Sequence, residues 1–400
     1  MKKEVYEPRE DTFLIEEQAA KYAQGRVLDM GTGTGVLAIE ASQKADFVIG
    51  ADINKDALDY AKKKAEAMGI RNIKFVHSDL FGYFKQNPDK FDLIIFNPPY
   101  LPEQKEEEPE IAMQLSGGKK GYELLEKFIS HASGYLAPFG RILILFSTLT
   151  NKDKVHEILE KYAFNYQKLS EKSFDFETLF VYLVEKSDTL RLFESKGMAD
   201  VKKIAKGHRG IVYTAKYKGA KAAIKKKRPD SEAVGRMQNE ARWLKFLNRK
   251  GIGPKFLFSE DDYLVYRFVE GKFIMDFLKK ADKKSIRKVL INVLRQCNLL
   301  DIAGINKEEM HHPLKHIIVK GSKPVMIDFE RVHAAQKPKN VTQFLQFLSS
   351  RNVYNILNKK GLSIYKGTWA QTKEKFMEMA KKYKGLVKKA AVKEMSFGSF

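Results

Sequence analysis

The chain has 400 residues, more than one hydrophobic core usually supports, so two or three domains are expected. Hydrophobic residues make up 44% and aromatic residues 12% of the chain, a composition that excludes wholesale disorder. The single cysteine, Cys297, excludes an internal disulfide and a cysteine-clustered metal site. Because no long apolar run and no signal peptide are visible, we expect a cytoplasmic protein that does not enter a membrane.

The formal net charge of +22 is unevenly divided along the chain. Residues 1–187 carry 25 Lys and Arg against 30 Asp and Glu, a net charge of −5, so residues 188–400 carry +27. This basic half predicts attraction to polyanions such as rRNA or a ribosomal particle. A surface that is merely rich in lysine, as accompanies growth at high temperature, is the alternative.

In the first half, short apolar runs alternate with amphipathic stretches. The predicted strands lie at 27–30, 47–52, 73–77, 91–96, 141–146 and 180–184. The predicted helices lie at 36–43, 55–68 and 122–135. This alternation predicts an α/β domain over residues 1–187, with a mostly parallel sheet covered on both faces.

The pattern changes near residue 187, where a domain boundary is expected. A small β-rich lobe is predicted over 188–270, with a hairpin, a helix and a strand at 217–225, 231–249 and 264–269. A mainly helical lobe is predicted over 271–400, interrupted by strands at 317–319 and 325–328. Its basic tail has helical periodicity from 372 to 391, which predicts a helix that closes the lobe or, alternatively, one that lies on RNA or a membrane surface.

A glycine-rich turn follows the first predicted strand and opens a helix. Glycine lets the backbone turn sharply and approach a ligand closely, although the turn alone would fit any nucleotide. Acidic side chains after the second and third strands can accept hydrogen bonds from ribose hydroxyls and from an adenine amino group. Together these features are typical of an S-adenosylmethionine site, while a helix N-cap is the alternative for either aspartate alone. The residues of this predicted site are Asp29, Gly31, Gly33, Gly35, Asp52, Asp79 and Leu80.

Asn97-Pro98-Pro99-Tyr100 stands at the end of the fourth strand. The prolines stiffen the turn, so that the Asn97 amide oxygen and the Pro98 carbonyl can point at one spot. Two acceptors match the two hydrogens of a planar –NH2 group, and Tyr100 offers a flat face on which such a group can stack. We therefore predict methylation of an amide or base nitrogen, achieved by positioning and electrostatics.

Three segments carry a family resemblance: Tyr6–Leu14 (YEPREDTFL), Asn97–Tyr100 and Ser116–Gly121 (SGGKKG). They resemble the HemK-type protein glutamine N5-methyltransferases, in their archaeal and eukaryotic branch, over roughly residues 4–186. The resemblance implies a Rossmann-like class I fold, S-adenosylmethionine as cofactor, and methylation of the Gly-Gly-Gln glutamine of a peptide chain release factor. It also implies a small zinc-binding activator as a partner, and a cofactor pocket covered by Pro8, Asp11 and Thr12.

The Asn-Pro-Pro-Tyr motif alone also fits adenine-N6 or guanine-N2 methyltransferases of RNA and DNA. The acidity of residues 1–187 argues against this domain binding a polyanion by itself, but the basic second half could deliver RNA to it. The acidic stretch Lys105–Glu110 lies where substrate would approach, and a solvated loop is an equal alternative for it.

Motifs in the second half indicate a nucleotide site. Gly207 and Gly210 bracket a turn that can fold over phosphates, Lys225 can reach those phosphates, and Glu240 can hold the lysine in place. Asp328, after a strand, can hold Mg²⁺. Their order resembles a bilobal protein-kinase-like α+β domain, especially the archaeal RIO-type kinases, over about residues 195–356. The resemblance implies ATP and Mg²⁺ as ligands.

The expected catalytic loop of such a kinase is altered. Histidines stand at 311 and 316, where the family pattern has an aspartate and a metal-binding asparagine. Glu309 could take the role of the base if the loop is two residues longer; otherwise the domain has kept ATP binding and lost phosphoryl transfer. Because no cysteine or carboxylate cluster is close in sequence, His312 and His316 are expected to be loop histidines rather than metal ligands.

Overall fold

The computed structural model describes residues 10–103, 117–207, 210–228, 235–362 and 367–397, with side chains up to residue 385. The chain divides into two compact units, residues 1–204 with 214–219 and residues 205–213 with 220–400. Features of the sequence analysis that fall outside the described residues are Pro8, the Lys105–Glu110 stretch and Ser116. Among the described helices, none is both long and apolar enough to span a bilayer.

Seven strands of the first unit form one sheet: β1 (Arg26–Met30), β2 (Phe47–Asp52), β3 (Ile73–His77), β4 (Phe91–Phe96), β5 (Leu136–Ser147), β6 (Phe164–Ser173) and β7 (Thr178–Lys186). Their order in the sheet is β3-β2-β1-β4-β5-β7-β6. Strands β1 to β5 pair in parallel, whereas β7 is antiparallel to both β5 and β6. The predicted mostly parallel sheet is therefore confirmed, and β6 is the strand that the apolar pattern missed.

Helices cover both faces of this sheet: α1 (Glu10–Tyr22), α2 (Val36–Ser42), α3 (Lys55–Ala67), α4 (Glu123–Ala132), α5 (Lys152–Lys161) and α6 (Asp188–Ser195). Ile15 of α1 and Ala38 of α2 share a buried cluster with Leu93 of β4. Successive side chains of a strand point to opposite faces. Accordingly, Phe96 of β4 packs on the other face, against Phe128 of α4 with ring centroids 4.2 Å apart.

A five-stranded sheet follows in the chain, formed by β8 (Met198–Lys206), β9 (Gly210–Tyr217), β10 (Ala220–Lys227), β11 (Phe256–Ser259) and β12 (Tyr263–Arg267), in the order β11-β12-β10-β9-β8. The predicted hairpin is present as β9 and β10. Its two turn residues, Lys218 and Gly219, have φ of 46° and 75°, the positive values that a tight two-residue hairpin turn requires.

The chain after this sheet is mainly helical, as the sequence predicted. The helices are α7 (Arg236–Asn248), α8 (Ile274–Lys280), α9 (Lys283–Ile302), α10 (Asn340–Leu348), α11 (Arg351–Lys359) and α12 (Trp369–Phe397). The short strands are β13 (Lys272–Phe273), β14 (Ile305–Asn306), β15 (Ile317–Lys320), β16 (Lys323–Met326) and β17 (His333–Ala334). Cys297 is fully buried in α9 and packs as a small apolar side chain in the cluster that also contains Phe344.

Candidate functional site

The predicted site residues of the first unit meet at one edge of the sheet. Asp29 lies in β1, Asp52 ends β2, and Asn97 directly follows β4. These three strands are neighbours in the order β2-β1-β4 and run parallel. Their carboxyl ends therefore form one common edge, the usual position of a ligand site in a parallel α/β sheet.

The glycine turn after β1 builds the floor of this edge. Gly31, Gly33 and Gly35 all have positive φ, at 71°, 51° and 79°. A Cβ at Gly35 would lie 2.9 Å from the Cβ of Ala61 in α3, so this position also needs glycine for packing. The Gly33 N–H donates to Asp52 Oδ2 at 2.8 Å, which ties the turn to the end of β2.

Asp29 presents a buried acceptor. Its residue exposure is 1%, and Oδ2 accepts a hydrogen bond from the Thr32 hydroxyl at 2.6 Å. Oδ1 is buried and has no hydrogen-bond partner among the described residues. Burial raises the pKa of the Asp29 carboxyl to about 7, with a smaller contribution from the nearby charge of Asp52. A carboxylate in this position can pair with a cationic ligand group such as an ammonium.

Asp79 and Leu80 follow β3 in an exposed turn. The side chain of Asp79 is 60% exposed, and Lys127 Nζ lies 3.1 Å from each of its oxygens. Leu80 has a φ of 45°. The sequence had not indicated Lys127 as the partner of Asp79, since the two residues are separated by 48 positions.

Asn97 is held in one orientation by Asp11. The Asn97 Nδ2 group donates to Asp11 Oδ2 at 3.1 Å, and Asp11 is only 6% exposed in the first turn of α1. Asn97 Oδ1 is buried and has no hydrogen-bond partner within the described part of the chain. Because a carboxylate only accepts hydrogen bonds, it fixes the NH2 group of the amide toward itself. The amide oxygen is thereby the group left open.

The rest of the motif packs against the glycine-rich segment that carried part of the family resemblance. Pro98 is buried and Tyr100 is half-buried. The Tyr100 carbonyl accepts a hydrogen bond from the Thr150 hydroxyl at 3.3 Å. A Cβ at Gly121 would lie 2.6 Å from that same carbonyl oxygen, so only glycine allows this close approach.

A second cluster of charged side chains lies in the second unit. Lys225 Nζ is 2.6 Å from Glu240 Oε2, 3.1 Å from Asp328 Oδ1 and 3.3 Å from Glu330 Oε2. Burial lowers the pKa of Lys225, but the surrounding carboxylates outweigh it and raise this pKa above its ordinary value. Burial likewise opposes ionisation of Asp328, and the charge of Lys225 overcomes it and lowers the pKa of Asp328 to about 2. Lys225 therefore neutralises part of a dense acidic group.

The altered loop brings further groups to Asp328. Lys307 is 2% exposed and its ammonium donates to the Asp328 carbonyl, while burial lowers the pKa of Lys307 to about 8. His316 Nε2 lies 2.8 Å from Glu309 Oε2, and His316 Nδ1 lies 3.8 Å from Asp328 Oδ2. Glu309 and Asp328 both have positive φ, at 71° and 62°, which is unusual for residues other than glycine.

One expectation about this region is corrected by the structure: the strand predicted over 325–328 ends at Met326, and Asp328 is in the left-handed region. His316 lies beside two carboxylates, that of Glu309 in its own loop and that of Asp328 after β16. His311 and His312 are exposed, as loop histidines are.

The predicted glycine turn lies between β8 and β9. Gly207 directly follows β8 and Gly210 begins β9, and the Gly207 N–H donates to the Gly210 carbonyl at 2.9 Å.

Comparison with known proteins agrees with the geometry of the first unit. Residues 22–197 match a family model described as a methyltransferase domain. A putative protein N5-glutamine methyltransferase of Methanocaldococcus jannaschii is 36% identical over 181 residues, covering 44% of this chain and 90% of that protein. The release factor glutamine methyltransferase of Buchnera aphidicola is 32% identical over 169 residues, covering 39% of this chain and 60% of that protein.

A solved structure with a similar fold is the Mtq2–Trm112 complex of E. cuniculi, which is responsible for the methylation of the eRF1 translation termination factor. It is 26% identical with a TM-score of 0.37, and the match covers 46% of this chain and 99% of that chain. The match to the methyltransferase model and the strand order of the seven-stranded sheet show that the first unit has the Rossmann-like class I fold of S-adenosylmethionine-dependent methyltransferases. Through this unit, the chain belongs to the HemK-type protein N5-glutamine methyltransferase family.

Proposed function

We propose that the first unit transfers a methyl group from S-adenosylmethionine to the side-chain nitrogen of a protein glutamine, namely that of the Gly-Gly-Gln motif in a peptide chain release factor. The observation that carries the proposal is that Asn97 Oδ1 is a buried acceptor without a hydrogen-bond partner among the described residues, while Asp11 fixes the NH2 group of the same amide. The relatives support the choice of a glutamine, and the name of the Buchnera protein supports the choice of release factor.

The residues at the sheet edge fit the cofactor. The buried Asp29 Oδ1 suits the cofactor's ammonium group. Asp52 suits the ribose hydroxyls because its two oxygens, which accept from the backbone N–H groups of Gly33 and Asn54, can each accept a further hydrogen bond. Asp79 with Leu80 is assigned to the adenine, and Pro8, Asp11 and Thr12 to the cover of the pocket. S-adenosylmethionine, when bound, supplies an electrophilic methyl group on a sulfonium.

The chain's own part in the reaction is to orient a weak nucleophile. An amide nitrogen has a delocalised lone pair, so it reacts only when it is held in line and its hydrogens are bound by acceptors. Asn97 Oδ1 and the Pro98 carbonyl take the two hydrogens of the glutamine –NH2, and the Tyr100 ring supports its plane. These acceptors also stabilise the positive charge that develops on the nitrogen as it gains the methyl group and the carbon–sulfur bond of the sulfonium breaks. One of the two nitrogen-bound protons is then released to water.

Transfer of labelled methyl groups tests this function. The substrate is a release factor, and its matched control carries alanine in place of the Gly-Gly-Gln glutamine, with rRNA in a parallel reaction. Label is expected in the intact release factor and absent from the glutamine-free control. Label in rRNA alone would refute the proposal.

That outcome would favour a second candidate, an amino-methyltransferase of RNA or DNA that uses the second half as its nucleic-acid-binding part. The observation behind it is the net charge of +27 over residues 188–400. Phosphate contacts by lysine and arginine make such binding decrease steeply with salt concentration. Binding of rRNA that weakens with salt in the full chain, together with rRNA methylation, would establish this alternative.

For residues 188–400 we infer an ATP-binding, kinase-like domain with its lobes divided near residue 270. The pair of Lys225 and Glu240, 2.6 Å apart, supports the inference, because a kinase places its phosphate-binding lysine in this way. Asp328 is the proposed Mg²⁺ ligand and Glu309 the proposed base. Titration with Mg-ATP tests this inference. Binding is expected in the natural chain and is expected to be lost in Asp328→Ala. Binding of RNA without binding of ATP would contradict the kinase-like function and indicate an RNA-binding adaptor domain.

Two further partners belong to this proposal. A small zinc-binding activator is implied by the family resemblance, and a ribosomal particle is implied by the basic half. Co-purification of the full chain with each candidate, at low and at high salt, checks both partners separately. The ribosomal particle is expected to be lost at high salt, since phosphate contacts are screened. The activator is expected to remain bound, because an apolar protein interface resists salt.

A further inference from the structure

The environment of Asp328 is unusual because each of its acceptor groups faces a different neighbour. Oδ1 is 3.1 Å from the Lys225 ammonium, and the backbone carbonyl accepts from the Lys307 ammonium. Oδ2 faces a ring nitrogen, His316 Nδ1, at 3.8 Å. The first two contacts are ordinary charge-assisted hydrogen bonds. The third is too long for a hydrogen bond and remains to be explained.

The other side of the imidazole ring limits what Nδ1 can do. Glu309 Oε2, which is 2.8 Å from His316 Nε2, can only accept a hydrogen bond when ionised, so the Nε2 atom carries the proton. In the neutral ring, Nδ1 then presents a lone pair to the carboxylate of Asp328. In the charged ring, Nδ1 carries a proton that has no acceptor within hydrogen-bond distance among the described residues. A cation placed between Nδ1 and Oδ2 would satisfy both atoms at once.

We propose that His316 Nδ1 and Asp328 Oδ2 together bind a divalent first-row transition metal ion, such as Mn²⁺, in preference to Mg²⁺. Metal–nitrogen and metal–oxygen bonds of about 2.0–2.2 Å place two ligands of one ion about 3–3.6 Å apart. The observed 3.8 Å is therefore within a few tenths of an ångström of a coordinating pair. The hydrogen bond from the far ring nitrogen to a carboxylate is the arrangement that orients metal-binding histidines.

The type of ligand determines the preference. Mg²⁺ binds oxygen ligands almost exclusively, whereas an imidazole nitrogen suits first-row transition metals. Glu240 and Glu330 could also hold a cation together with Asp328, since one oxygen of each lies within 4.8 Å of the others. Lys225 places a positive charge 2.6 Å, 3.1 Å and 3.3 Å from these three carboxylates, on the Oδ1 side of Asp328, which leaves Oδ2 as the atom that faces His316. The site thus consists of one nitrogen and one carboxylate, with its remaining positions available to water or phosphate oxygens.

This inference deepens the second half of the proposed function, in which Asp328 is a metal ligand, but it requires only metal binding. The test uses the full chain and MnCl₂ without nucleotide. Pulsed electron paramagnetic resonance detects a nitrogen nucleus bound to Mn²⁺, and competition with MgCl₂ gives the preference between the two ions. The variant is His316→Asn, which offers an oxygen ligand in place of nitrogen. The matched controls are His311→Asn and His312→Asn, which change exposed histidines of the same loop.

We expect the nitrogen signal in the natural chain and in both control variants, and its loss in His316→Asn. The preference for Mn²⁺ over Mg²⁺ is expected to fall at least about tenfold in His316→Asn, as oxygen replaces nitrogen. Absence of the nitrogen signal in the natural chain, or its persistence in His316→Asn, would overturn the metal assignment. Circular dichroism of each variant verifies that a lost signal does not come from unfolding.

The metal site and phosphoryl transfer can fail independently. A nitrogen signal without any phosphoryl transfer from ATP retains the metal site and removes the kinase activity. Transfer that Mg²⁺ and Mn²⁺ support equally, with no nitrogen signal, removes the proposed metal preference and retains the kinase. The two results are obtained from the same protein preparation, so they are directly comparable.

Discussion

Replacement of Asp11 by alanine removes the carboxylate that accepts a hydrogen bond from the Asn97 amide. Asp11 Oδ2 accepts from Asn97 Nδ2 at 3.1 Å, and Asp11 is 6% exposed. Without this acceptor the amide can rotate by half a turn, and its NH2 group then faces the substrate. A donor at that point repels the –NH2 group that the acceptor is meant to bind. Methyl transfer is expected to slow as a result.

The magnitude follows from the kind of hydrogen bond that is lost. A hydrogen bond to a charged group contributes about 1.5–3 kcal/mol. Each 1.4 kcal/mol or so corresponds to about a tenfold change in rate, so Asp11→Ala is expected to lower kcat about 10- to 150-fold. Asp11→Asn retains an acceptor oxygen and loses the charge, and a neutral hydrogen bond contributes about 0.5–1.5 kcal/mol. The difference between the two kinds of hydrogen bond means that Asp11→Asn is expected to lower kcat about five- to tenfold.

The assay measures kcat at saturating cofactor together with the cofactor's Kd by calorimetry. A matched control is Glu10→Ala. Glu10 directly precedes Asp11 in α1, its side chain is 60% exposed, and its Oε2 lies 3.4 Å from Lys172 Nζ. The control is expected to retain nearly full activity. A loss that appears only in the Kd for S-adenosylmethionine, with kcat unchanged, would contradict the orienting role of Asp11 and leave only its place in the cover of the cofactor pocket.

Three further predictions concern stability. Gly35→Ala is expected to lower the free energy of unfolding in urea by about 2–3 kcal/mol, since its Cβ would lie 2.9 Å from the Cβ of Ala61. The control Gly69→Ala has a similar positive φ but open space around the added Cβ, so its expected loss is about 1–2 kcal/mol. Asp29 has a pKa of about 7 in the folded protein, against about 3.9 when unfolded, so the cofactor-free protein is expected to lose stability as the pH rises from about 4 to 7. Asp29→Asn is expected to remove this loss, measured as unfolding free energy at low and high pH, while weakening cofactor binding. Lys225→Met is expected to destabilise the second unit by about 3–5 kcal/mol in denaturant titrations, because Glu240, whose side chain is 3% exposed, would keep a buried charge without its partner.

Each of these predictions has a result that contradicts it. Equal losses in Gly35→Ala and Gly69→Ala would mean that the close approach to α3 does not restrict position 35. A pH dependence that survives in Asp29→Asn would assign the titration to another group. If Lys225→Met were as stable as the natural chain, the acidic cluster would not depend on this lysine.

The sheet edge of the first unit could be predicted from sequence because its signals are local. Asp29, Asp52 and Asn97 each stand at the end of an apolar run, and parallel strands bring their carboxyl ends together. No separate long-range information was needed. The same reasoning predicted the β-rich and helical portions of the second unit, and the Lys218–Gly219 hairpin turn.

Apart from the pair of Lys225 and Glu240, which the motif order indicated, the contacts between distant residues described above were not predicted. Asp11 and Asn97 are 86 positions apart, and nothing in the sequence indicates that the Asp11 carboxylate orients the Asn97 amide. The contact between His316 and Asp328 was not indicated either, because Asp328 reaches the ring only after the chain returns through β15 and β16. Single sequences reveal groups that share a strand end, but not side chains joined by the fold.

The most direct test of the central claim is mass spectrometry of a release factor after incubation with the full chain and S-adenosylmethionine. Fragmentation of the peptide that contains Gly-Gly-Gln locates any added methyl group. One methyl group on the glutamine side chain is expected with the natural chain, and at most a trace with Asn97→Ala. An unmodified glutamine, together with methylated bases in rRNA treated in parallel, would contradict it.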